Sequence, residues 1–183
     1  SASNSIVMNA VDLKVAGAII SSSGSSASQV RLSHSPLHVR FEPALERVVF
    51  SSAVKIPAGK YQLQCKFDGV LNDKLVGFYR STFKDKQGKT HYLATTQMEP
   101  TDARRMFPCF DEPDMKASYK IRTVIGKDLS AISNGAIEKV TDEPGAGKKL
   151  VSFVETNRMS SYLVALCVGE FKSTEPITED GVE

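Results

Sequence analysis

The 183-residue chain has no tryptophan and only three cysteines, Cys65, Cys109 and Cys167. They are widely spaced and odd in number, and no C-x-x-C pair occurs, which excludes a zinc ribbon and a dithiol redox motif. Cys65 and Cys167 fall in apolar strand patterns, where a lone cysteine serves as a small buried side chain. No N-x-S/T sequon is present. With the cysteine usage, this favours a reducing, cytosolic setting. No apolar run approaches the roughly 20 residues needed to span a bilayer. An excess of one charge sign is also missing: 23 basic and 21 acidic residues leave a net charge of +2. That balance is too even to point to nucleic acid or a membrane surface as partner. Helical periodicity never persists beyond one or two turns.

What is there reads as strands. Charged residues make up 24% and hydrophobic ones 41%, ordinary values for a globular domain, and the length allows one sizeable core or two small ones. The clearest period lies in residues 61–68, where Tyr61, Leu63, Cys65 and Phe67 alternate with Gln62, Gln64, Lys66 and Asp68. This is the pattern of a half-buried strand. Residues 78–84 and 91–97 form a predicted hairpin around the polar Asp85-Lys-Gln-Gly88 turn. Further strands are expected at 6–15 with a polar break at Asn9, and at 30–41, 45–50, 119–125 and 150–156. A nearly continuous apolar run at 161–171 predicts a strand buried on both faces. The serine-rich stretch 21–28, residues 56–60 and Asn134–Gly135 read as loops and turns. Many short strands at regular spacing give the fold class: all-β, with sandwich- or saddle-like antiparallel sheets.

Residues 96–113 concentrate chemistry. They hold four carboxylates, two arginines, three prolines, two phenylalanines and a cysteine. The prolines forbid a continuous helix, and charges buried in such a segment must be paired. If the strand begun at His91 runs on, Gln97 and Glu99 share one face and Met98 points the other way, into the core. Pro100 ends the strand there. Spacing alone leaves open whether this pair is an ordinary exposed strand end or a binding surface. Asp102, Arg104, Arg105, Asp111 and Glu112 are expected to form an ion-pair network bracing an irregular loop; no aromatic-interleaved basic stripe surrounds the arginines to make a nucleic-acid site.

Metal and phosphate motifs fail on inspection. His34 and His38 have H-x-x-x-H spacing, but Ser35, Pro36 and Leu37 lie between them with no glutamate, and Pro36 would break the presenting helix. His91 stands alone, and a catalytic zinc needs three protein ligands with an open position. Gly88-Lys89 and Gly147-Lys148 each lack the glycine five residues earlier that a P-loop requires; Phe83 and Asp142 stand there.

The run T-Q-M-E-P-T-D-A-R-R-M-F-P-C-F-D-E-P resembles the signature in the N-terminal domain of zinc aminopeptidases related to aminopeptidase N, with most likeness to the puromycin-sensitive, cytosolic branch. The likeness continues through V-L-N-D-K-L-V-G-F-Y-R-S-T-F (70–83), S-I-V-M-N-A-V-D-L-K-V (5–15) and M-S-S-Y-L-V-A-L-C-V-G-E-F (159–171), in the family's order. It implies an N-terminal β domain over residues 1–171, with its first strands before Ser1. A polar tail, 172–183, would lead toward the catalytic domain. It further implies that Glu99 helps grip the free α-amino group of a peptide, that Gln97 lines the pocket for the first residue, and that the peptide after Glu99 is cis.

In that family the catalytic domain supplies G-x-M-E-N, H-E-x-x-H and a distant glutamate. Neither motif occurs between Ser1 and Glu183. The implied parent is therefore a cytoplasmic zinc aminopeptidase that removes single residues from peptide N-termini. The present stretch is expected to hold no catalytic residue and no metal ligand. Its implied partners are the peptide and the catalytic domain of the same chain, with neither nucleic acid nor membrane. Two rivals remain: a non-catalytic β-sandwich binding module that docks through Gln97 and Glu99, and a catalytically dead scaffold homologue.

Overall fold

The structure, a computed structural model, describes residues 2–22, 35–143 and 147–174. Its strands are β1 (Ser3–Asn9), β2 (Leu13–Ser22), β3 (Ser35–Glu42), β4 (Arg47–Ile56), β5 (Tyr61–Gly69), β6 (Gly77–Lys84), β7 (Thr90–Gln97), β8 (Arg122–Gly126), β9 (Ser130–Ser133), β10 (Ile137–Glu143), β11 (Lys148–Phe153) and β12 (Leu166–Gly169). Among the described residues, helical structure is confined to single 3-10 turns. The expected all-β class holds. Three sheets form, in the orders β1-β4-β3-β2-β5, β10-β11-β8 and β6-β7-β12-β9. Each strand pairing is antiparallel.

The first sheet curls around Ile20, Val48, Phe50, Leu13 and Leu37, against which the apolar face of β5 packs through Tyr61, Leu63, Cys65 and Phe67. The alternation in β5 is thus read out directly as one face in and one face out. A second core, with Phe153, Val151, Ile125, Ala131 and Leu166, joins β8 and β11 to β9 and β12. A third lies under residues 96–113 and contains Met98, Ala103, Cys109 and Val164; Met106 and Ile121 pack against both of these last cores.

Several expected boundaries move, for identifiable reasons. The single strand over 6–15 is two strands. Between them Ala10 N–H donates to the Glu46 carbonyl and Val11 N–H to the Arg104 carbonyl, and Asp12 adopts φ 56, so the break spans three residues beyond Asn9. The strand expected at 45–50 begins at Arg47, because Pro43–Leu45 form a 3-10 turn closed by Glu46 at φ 53. The third expected strand is described only from Ser35. The strands expected from 119 and 150 are observed as Arg122–Gly126 and Lys148–Phe153. The expected hairpin forms as β6 and β7, paired from Gly77↔Gln97 to Lys84↔Thr90.

The largest correction concerns residues 161–171. Only Leu166–Gly169 form a strand, preceded by the 3-10 turn Ser161–Leu163. The hydroxyls of Ser160 and Ser161 bond to the Pro113 carbonyl and to Asp111 Oδ1, both at 2.6 Å, and such side-chain partners draw a chain out of a ladder. Asn134–Gly135 does turn the chain, but it links β9 and β10, which belong to different sheets. Most of the serine-rich stretch, His34, and residues 175–183 of the expected tail lie outside the described residues.

Candidate functional site

Strand β7 ends at Gln97, opposite Gly77 of β6. Gln97 and Glu99 are exposed while Met98 between them is 2% exposed, so the strand alternation continues past the last ladder pair. Burying Met98 fixes the outward direction of both neighbours. The Glu99–Pro100 peptide is cis. Gln97 and Glu99 open on one groove, with residues 96–99 along one side and Tyr162, Leu163, Val164 and Ala165 along the other. Both members of the expected pair therefore stand at one site. The opposite wall was not expected there, since residues 161–171 read as a strand buried on both faces.

That wall is held by side chains acting as strand partners. Asn134 Nδ2 donates to the Leu163 carbonyl at 2.8 Å, and Asn134 Oδ1 accepts from Ala165 N–H at 2.7 Å. Ser133 Oγ donates to the Ala165 carbonyl at 2.7 Å. Thr96 Oγ1, on the other side of the groove, accepts from Leu166 N–H at 3.1 Å. A carboxamide engaging one carbonyl and one N–H two residues apart imitates a neighbouring backbone. The only sequence signal for this was the Asn-Gly pair, which a turn explains equally well.

Beneath the groove lies the brace. Asp111, whose side chain is 1% exposed, accepts from Arg104 Nε at 2.9 Å and from Ser161 Oγ at 2.6 Å. Arg104 also reaches Glu46 at 2.8 Å. Arg105 pairs with Asp102 at 2.7 Å and Asp12 at 3.1 Å. Asn9 and Cys109 exchange backbone hydrogen bonds in both directions, and Asn9 Oδ1 accepts from Asp111 N–H. The expected ion-pair network is present, with one exception: Glu112 is exposed and takes part in none of these pairs. Gly77, at φ 70, fits under the brace because a Cβ there would meet Arg105 Cβ at 2.7 Å.

Burial pushes the Cys109 thiol up to about 12; the Asp111 carboxylate adds to the shift and Arg104 opposes it. That thiol is unsuited to act as a nucleophile or metal ligand, since both need the thiolate. His91 lies between two carboxylates, with Nε2 2.8 Å from Asp85 and Nδ1 3.0 Å from Glu170, and it stacks on Phe83. The bond to His91 holds the Asp85 carboxyl below its usual value. His38 is exposed on β3. With the ring nitrogens of His91 both engaged, the donor set does not fit a zinc site. Among the described residues no group of three or more His, Cys, Asp or Glu could hold a metal ion.

Residues 1–163 match the peptidase M1 N-terminal domain. The chain belongs to that family. An aminopeptidase M1 of Arabidopsis thaliana is 43% identical over 178 residues, 97% of this chain and 20% of the relative. The mitochondrial aminopeptidase 2 of Saccharomyces cerevisiae is 52% identical over 120 residues, 64% of this chain and 12% of the relative. A puromycin-sensitive aminopeptidase of Caenorhabditis elegans is 41% identical over 147 residues, 80% of this chain and 16% of the relative. This M1 N-terminal domain thus spans a fifth or less of these relatives. Among its described residues no helix is long and apolar enough to cross a membrane.

Proposed function

We propose that this domain anchors the N-terminus of a peptide in a zinc aminopeptidase, with Glu99 binding the α-amino group and Gln97 lining the pocket for the first residue. The observation that supports this reading is the placement of both side chains, exposed, on one groove over the buried Met98. A carboxylate is the residue type suited to a free ammonium group, and a charge-assisted hydrogen bond is worth about 1.5–3 kcal/mol. The names of the relatives point to the same activity class.

Zinc, with its polarisation of the scissile carbonyl and activation of water, belongs in this reading to a catalytic domain of the parent chain, together with its ligands. The domain contributes recognition. By itself the 183-residue chain is expected to hydrolyse nothing and to bind no stoichiometric zinc. A cytoplasmic location is proposed on the same resemblance.

The deciding experiment is Glu99→Ala in the parent enzyme, assayed on aminoacyl-arylamides. Loss of about 1.5–3 kcal/mol predicts a drop in kcat/KM of at least about tenfold. Because Glu99 is exposed, the melting temperature should stay within about 1–2 °C of the unmodified enzyme. Unchanged kinetics would remove Glu99 from the site.

A further inference from the structure

We infer that His91 is a proton-operated clasp. As imidazolium it ties the chain leaving β12, through Glu170, to the β6–β7 turn, through Asp85; on losing its proton it releases Glu170. This is independent of the anchoring role proposed above. Nε2 lies 2.8 Å from Asp85 Oδ2 and Nδ1 lies 3.0 Å from Glu170 Oε2, so both ring nitrogens face carboxylate oxygens. An ionised carboxylate only accepts hydrogen bonds, and a neutral imidazole has one N–H to give. Both contacts are hydrogen bonds only when the ring carries two protons.

The surroundings decide which contact is lost. The ring stacks on Phe83 of β6, and among the described residues Asp85 and Glu170 are the charged groups that it faces. Asp85 is fixed in place: its Oδ1 accepts from the N–H groups of Gln87 and Lys89, which leaves Oδ2 for His91. Its side chain is 28% exposed and that of Glu170 is 56% exposed. A neutral ring therefore keeps its one N–H on Asp85. The bare Nδ1 lone pair then faces the Glu170 carboxylate, which turns to water.

Glu170 stands where the seam between β7 and β12 runs out. That seam has one ladder pair, Val168↔Ala94, and side-chain bonds from Thr96 to Leu166 N–H and between Thr95 and Cys167. At Gly169 the strands approach so closely that a Cβ would meet Leu93 Cβ at 2.9 Å. The His91–Glu170 bond extends the seam past that point, and without it the chain after Gly169 opens more readily from β7. Histidine is the side chain whose charge ordinarily changes between about pH 5 and 8.

The test is amide hydrogen exchange of the parent enzyme, read by mass spectrometry in a peptide covering 166–171. Protection is referred to the unstructured rate at each pH. Between about pH 5.5 and about pH 8 it is expected to fall about two- to fivefold, the range of an exposed ion pair. His91→Arg, a permanent cation whose fork reaches both carboxylates, should stay at the high value throughout. His91→Gln and Glu170→Gln should stay at the low one. Equal protection of the unmodified enzyme at both pH values would overturn the inference. So would a pH dependence that survives in Glu170→Gln, an exposed change that leaves the ring on Asp85. A merely structural histidine would lower protection in His91→Gln by the same factor at both pH values, which would also overturn it.

Discussion

Cys109 illustrates how much a single side chain owes to its surroundings. Its folded-state value of about 12 lies well above the roughly 8.5 of a free thiol. A raised value means that the folded form keeps its proton longer than the unfolded one. The stabilisation is complete below about pH 8 and is lost as pH rises from about 8.5 toward 12, as thiolate forms first in the unfolded chain. Melting temperature should therefore fall from pH 8 to 11, and Cys109→Ala should flatten that slope by up to about 1.4 kcal/mol per pH unit. Equal slopes would contradict the burial argument. Asp85 runs the opposite way: its carboxyl is lowered by His91, so its contribution is present above about pH 4 and lost on acidification. At this scale the sequence was informative where the geometry is local. The alternation Gln97, Met98, Glu99 needs only the strand period. The backbone course at 163–165 was illegible, because Asn134 holds it from a distance along the chain that no periodicity measures.

Elements here are held by buried polar side chains as much as by ladders. Removing the Asp111 side chain would leave Arg104 with Glu46 as its remaining ion-pair partner and Ser161 Oγ without its acceptor. Breaking a buried pair on one side costs about 3–5 kcal/mol, so Asp111→Ala should shift the denaturation midpoint strongly; a loss below about 1 kcal/mol would show that the brace is dispensable. Asn134→Ala removes two bonds to the groove wall and should cost about 1–3 kcal/mol, read in the same denaturant titration. Beside it, Gly135→Ala would drive a Cβ into the Val154 carbonyl. The hairpin β6–β7 and the strand β5 were legible because turn chemistry and period 2 lie within a dozen residues. The division of 6–15 and the turn at 161–163 were not, since each is imposed by partners roughly 35–100 residues away in sequence, such as Glu46, Arg104 and Asp111.

For the molecule as a whole, the all-β class followed from strand spacing, but the assignment of strands to three sheets did not, because β9 and β10 are consecutive yet separate. Large apolar side chains remain on the outside: Val70 is 79% exposed, Leu75 60% and Leu71 40%. The domain spans a fifth or less of its relatives, and we propose that these side chains are where it meets further chain. Expressed alone, it should self-associate as its concentration rises, seen as an increasing weight-average mass in sedimentation equilibrium. A mass of one chain across the micromolar to millimolar range would argue against such a face.

The sheet order β6-β7-β12-β9 has a consequence for synthesis. Strand β7 finds its second neighbour in β12, and the bond from Leu166 to Thr96 spans 70 residues. At about 5–20 residues per second, a ribosome takes roughly 4–14 s to cover that interval. Throughout it, the nascent chain presents one side of β7, the strand that ends at Gln97, as an open edge to any other strand it meets.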